Sequence, residues 1–179
     1  MRAKPVLMAA AAVIAVTAAA CSAPPATSSV PGSGLPQDYS HPFGPHEKQV
    51  TLAQAAASAG YSVTVPTAAL ANAETLTTVW VSPAHQVALV FDHGKITVMM
   101  APAIYHDPLS FFRKSLKGMN GKSQITQVNG QPMLVSFPHT DPLSPNPAWV
   151  EFDQNGVDTN IVSQTYGTAT LLAIARTMT

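Results

Sequence analysis

Glu151 and Asp153 stand two apart in the run AWVEFDQNG, so an extended chain places both carboxyls on one side, where a pair of acids can exchange a proton. The solvent side of a sheet carries the same spacing more often than an active site does, and solvated carboxylates are the expectation. Six histidines are the other proton carriers and metal donors. His41 and His46 fall in a Pro/Gly/Ser-rich stretch, while His85, His93, His106 and His139 fall at expected turns. No two of them show the helical i, i+4 spacing of a zinc site, and the one short-spaced pair, His41 and His46, falls in that Pro/Gly/Ser-rich stretch, so no metal and no cofactor is expected. The chain also lacks a G-x-S-x-G elbow for a nucleophilic serine. One thiol remains, Cys21, within VTAAACSAPPATSS.

What precedes that cysteine explains it. MRAKPVLMAAAAVIAVTAAA has Arg2 and Lys4 in front, an apolar run beginning at Val6, and small residues before Cys21, which is the layout of an export signal. The apolar run, about 11 to 15 residues, is shorter than the roughly 20 that span a bilayer. Ala18-Ala19-Ala20-Cys21 resembles the lipobox of bacterial lipoproteins, although Ala18 stands where that family most often has leucine. The resemblance implies a diacylglycerol thioether on Cys21, with acyl chains of the palmitate class, and cleavage just before it. Cleavage after an A-x-A, leaving a free thiol, and an uncleaved N-terminal anchor are the alternatives. A lone exposed thiol is poorly suited to an oxidising compartment, which favours lipidation. Two acyl chains hold a protein stably at a membrane, whereas one does so only reversibly.

Composition sets further limits. Nine basic and nine acidic residues balance in 179, and without Arg2 and Lys4 seven basic residues remain. No basic excess exists to neutralise phosphates, so nucleic acid is not an expected partner. With Cys21 used as the anchor there is no disulfide, and about 158 residues must fold on a hydrophobic core alone.

The elements that would position these groups follow from pattern. Residues 1–20 read as the signal peptide, 21–45 as a flexible tether rich in Pro, Ser and Gly, and 46–179 as the folded domain. Thr51 can cap a short alanine-rich helix that ends at Gly60. YSVTVP, residues 61–66, alternates as a strand. TLTTVWVS, QVALVFD and KITVMMA are separated by short turns and predict an antiparallel meander. Asn129-Gly130 and Asn155-Gly156 each sit between two β-rich runs and predict tight hairpins. Asp107 and Pro108 open a helix with Leu109, Phe112, Leu116 and Met119 near one face, and a final helix places Leu171, Ile174, Ala175 and Met178 on one stripe. About seven strands beyond residues 61–66, without βαβ alternation, predict an α+β fold: a curved antiparallel sheet with helices packed on one face.

Gly60-Tyr61, Val63-Thr64-Val65-Pro66, Asn129-Gly130, Trp149-Val150-Glu151-Phe152 and Asn155-Gly156-Val157, in that order before a leucine-rich helix, resemble an uncharacterised exported domain of Gram-positive membrane-anchored regulators. That domain is distantly like the outer-membrane lipoprotein carrier and the periplasmic regulator of an envelope-stress sigma factor. The resemblance covers about Val50 to Met178 and departs at Pro66 to Leu70 and at the helix around Leu109 to Leu116. It supplies no catalytic residues. It implies a curved sheet whose helix-covered concave face, in related folds, takes an apolar ligand.

Arg113, Lys114, Lys117 and Lys122 form the one basic cluster, beside Phe111 and Phe112. An amphipathic helix with its charges in water is the expectation, and contact with a membrane is the functional alternative. Met99, Met100 and Met133 are expected as core filler. Together these readings predict a non-enzymatic lipoprotein, anchored by Cys21 to the outer face of the cytoplasmic membrane. It would act as an interaction or sensing module for another envelope protein. The alternative is a carrier of an apolar or lipid ligand.

Overall fold

A computed structural model describes residues 38–67, 75–119, 123–138 and 147–179. Cys21, Lys122 and His139 lie outside the described residues, as do residues 1–37 with the whole expected signal peptide. Among those described, eight strands form one open antiparallel sheet, accompanied by three α-helices, which is an α+β fold. No helix of the described residues is long and apolar enough to cross a membrane.

The strands are β1 (Lys48–Gln49), β2 (Leu76–Val81), β3 (Val87–Phe91), β4 (Ile96–Pro102), β5 (Ser123–Val128), β6 (Gln131–Ser136), β7 (Ala148–Gln154) and β8 (Val157–Ser163). Their spatial order is β1-β2-β3-β4-β8-β7-β6-β5, so two meanders meet where β4 pairs with β8. The seven strands β2 to β8 are those predicted from β-branched runs and turns. Both hairpins turn on Asn-Gly as expected, with φ of 51° and 81° at residues 129 and 130 and 54° and 80° at 155 and 156.

Helix α1 (Leu52–Ala59) starts at a capping box: Thr51 Oγ1 accepts from the Gln54 amide at 3.2 Å, and Gln54 Oε1 accepts from the Thr51 amide at 2.9 Å. Gly60 ends it with φ of 75°. Helix α2 (Pro108–Gly118) starts where Asp107 Oδ1 accepts from the Ser110 amide, with proline in the first turn, and α3 (Thr168–Arg176) closes the chain.

Strand alternation divides the sheet into two faces. The first carries Val79, Leu89, Val98, Met133, Val150, Phe152 and Ile161, and Ala55 and Ala59 of α1 together with Leu171, Ile174 and Ala175 of α3 join them in one buried core. Met178, just past α3, completes it. The predicted stripe of the last helix is thus the buried one. Helix α2 instead packs on β5 and β6. Its buried Phe112 lies outside that core, with its aromatic neighbours on the second face.

Two local expectations are corrected. YSVTVP pairs with no strand; Tyr61 Oη donates to the carbonyls of His85 (3.0 Å) and Met100 (2.8 Å), and Val63 and Val65 pack sideways onto the core. The sheet edge goes to β1, which pairs Lys48 with Val81. Residues 38–45, read from composition as tether, form a strap across the second face. Tyr39 is 5% exposed, its carbonyl accepts from Thr97 Oγ1 at 2.7 Å, and the Ser40 carbonyl accepts from Trp80 Nε1 at 2.8 Å. Turn-forming composition does not prevent docking when one tyrosine finds an apolar seat and two carbonyls find buried donors.

Candidate functional site: acids and a tyrosine under a helix

The β7–β8 hairpin fixes the site. Its register sets Asp153 opposite Asp158 and Glu151 opposite Asn160, all on the second face, while Phe152, Thr159 and Ile161 between them point into the core. Neighbouring strands bring Leu134 beside Glu151, and Met99 and Ala101 beside Asn160 and Asp158.

The connection from β4 to α2 supplies the lid. The Ala103 amide donates to the Gly156 carbonyl at 2.8 Å, pinning this connection to the hairpin. Tyr105 then reaches down, and its Oη donates to Asp158 Oδ1 at 3.0 Å. Its ring stacks on Phe111 with centroids 4.2 Å apart and meets Phe112 edge-on at 6.1 Å. Phe112 is fully buried, so α2 sits as a roof hinged on three aromatic rings.

Partial burial, which disfavours the charged form, raises both carboxyls above their ordinary range. Glu151 is raised further by the nearby Asp158 charge. Asp158 is held down in part by the Tyr105 hydroxyl and pushed up by Asp153. The Tyr105 hydroxyl is raised strongly by burial and by the surrounding acids, so it stays a neutral donor. Asp153 is committed to the turn, where Oδ1 accepts from the Gly156 amide at 3.2 Å.

Asn160 Oδ1 is buried without a hydrogen-bond partner. It faces Glu151 across the strand pair, and a protonated Glu151 is the O–H donor that such an acceptor lacks. Two acids with different raised affinities for a proton, one bound to a tyrosine and one beside an orphan amide, can take up or release a proton near neutral pH.

The carboxyl pair expected from sequence is therefore rearranged. Glu151 feels the charge of Asp158 across the strands rather than that of Asp153 along its own, and the three acids are half-buried rather than fully solvated. Tyr105, Asp158 and Asn160 were not singled out from sequence, although the Asn155-Gly156 turn already implies the pairing 153 with 158 and 151 with 160.

The five described histidines stay apart. His41 Nδ1 meets Glu47 Oε1 at 2.6 Å with its ring 4.9 Å from Trp80, His85 Nδ1 bonds the Ser58 carbonyl at 2.9 Å, and His46, His93 and His106 are exposed. Among the described residues, no three His, Cys, Asp or Glu gather as a metal site. Met100 and Met133 fill the core as expected, whereas Met99 lies on the second face opposite Asn160. Arg113, Lys114 and Lys117 are exposed.

No protein-family model, no curated protein and no solved structure matches this chain.

Proposed function

We propose that the protein is a lipid-anchored, non-enzymatic interaction and sensing module at the outer face of the cytoplasmic membrane. In this reading it is built on a curved sheet, and the acid and tyrosine cluster under α2 is its sensing element. The observation that carries the reading is the Tyr105–Asp158 hydrogen bond beneath the Tyr105–Phe111 stack, because it ties the seating of α2 to the protonation of the acids below.

The sign of the response follows from the direction of the shifts. A carboxyl whose affinity for its proton is higher in the folded state contributes stability that is complete below its ordinary value, about 4. That stability is lost as pH rises through the folded value, about 8 for Glu151. Through Glu151, acid therefore favours the closed roof and alkali loosens it, while the Tyr105 bond, which favours ionised Asp158, offsets part of this. The groups facing the pair are Asp153 on β7 and Tyr105 on the connection; β4, β5 and β6 carry no ionisable side chain, and the cations of α2 are exposed. Among the described residues no countercharge faces the pair to offset the repulsion when both acids ionise.

Amide exchange across residues 108–118, corrected for its intrinsic pH dependence, tests this. Protection is expected to fall at least tenfold between pH 5 and pH 8.5, and to stay level in Glu151→Gln/Asp158→Asn. Equal protection at both pH values in the unaltered protein would remove the sensing element. Anchoring is tested separately by fractionating cells that express Cys21→Ser: release of the protein from membranes is expected, and unchanged membrane association would end the lipid-anchor reading.

A further inference from the structure

Two features of the second face have no part in the acid cluster. The first is a stripe on α2. Ser110, Arg113, Lys114 and Lys117 are exposed and lie opposite Phe112 around the helix. The three cations enter no salt bridge among the described residues, and after Cys21 only seven basic residues exist in the whole chain. The second is the strap. Its bonds to Thr97 and Trp80 put Asp38, where the upstream chain enters the domain, on the same face as α2.

We infer that this face of the sheet is turned toward the bilayer and that the α2 stripe docks on anionic phospholipid headgroups. Charge complementarity selects the occupant: three of the seven basic residues after Cys21 stand in one exposed row, and that row fits a surface of phosphates, where each basic residue strengthens binding about fivefold. Three such charges give weak binding on their own. They suffice as a second signal to orient a domain already held nearby. Ile104, 69% exposed in the connection four residues before α2, adds an exposed apolar side chain close in sequence to the stripe. Phe111 and Phe112 do not take part, since both rings are committed to the roof. The inference builds on the membrane placement proposed above, and its test is made independent of lipidation.

The full chain carrying Cys21→Ser is floated with vesicles of phosphatidylcholine, alone or with about one third phosphatidylglycerol, at low and high salt. The anionic vesicles are expected to bind the protein at least tenfold better at low salt, with the gain screened at high salt. Arg113→Gln/Lys114→Gln/Lys117→Gln, whose sites are exposed, is expected to lose most of that gain and to melt at the same temperature. Each single glutamine variant is expected to lose about fivefold, which keeps the test valid if the triple variant folds poorly. Lys114→Arg/Lys117→Arg is expected to retain the gain. An anionic-lipid gain left intact in the triple variant overturns the inference, whether the remaining attraction comes from Arg2 and Lys4 or the stripe serves an acidic protein instead.

Discussion

The two faces of this sheet are made by the same strands and behave as different materials. On β8, Val157, Thr159 and Ile161 point into a core shared with α1 and α3, while Asp158, Asn160 and Val162, one step out of phase, point at the strap and α2. The first face is held by apolar area, which is insensitive to pH and costs little specificity to maintain. The second also buries apolar side chains, Val90, Leu134, Val162 and Phe112 among them, and adds a few directed bonds: Tyr105 to Asp158, Thr97 to Tyr39, Trp80 to Ser40. Conditions that leave the first face unchanged can therefore reset the second, and a protein that responds to its surroundings would do so there.

The sharpest way to break that contrast is to weaken the apolar face. Phe152 is fully buried between Glu151 and Asp153, and Phe152→Ala leaves a cavity that nearby side chains fill only in part. Its cost is expected at about 3–5 kcal/mol by denaturant unfolding, equal at pH 5 and pH 8. A cost that changes with pH would mean that the faces are coupled through β7 and are not two materials.

Much of the first face was legible in the chain. The β-branched and aromatic runs VALVF and ITVMM between short turns, the stripe of Leu171, Ile174, Ala175 and Met178, and two Asn-Gly turns are local signals, and local signals decide which segments are buried. The second face was not legible, because it depends on groups far apart in sequence. Tyr105 and Asp158 are separated by 53 positions and Thr97 and Tyr39 by 58, and neither pair leaves a periodic trace. Asp158 lies in a run that reads as a plain edge of alternation, VDTNIVS, and only the hairpin register gives its position meaning. Residues 38–45 misled in the opposite sense, since Pro and Gly composition describes an isolated segment and says nothing of a donor waiting on Trp80. Strand YSVTVP failed for a related reason: its valines are apolar enough to bury, and the core accepts them without pairing their backbone.

The smallest expected effect probes the strap itself. Gly94 adopts φ of 95°, and a Cβ there would stand 3.2 Å from the Ser40 amide nitrogen and 3.3 Å from Ser40 Cβ. Gly94→Ala thus meets two penalties, the left-handed backbone and the strap. Gly60→Ala supplies the control: its φ is 75° and nothing lies within 4 Å of the added atom, so it carries the backbone penalty alone, about 1 kcal/mol. Gly94→Ala is expected to cost about 1 kcal/mol more than the control, and also to shift Trp80 emission as the Ser40 carbonyl leaves the indole N–H. Equal costs with unchanged emission would mean that the strap gives way freely around residue 40, and the second face would then owe its order to the α2 roof alone.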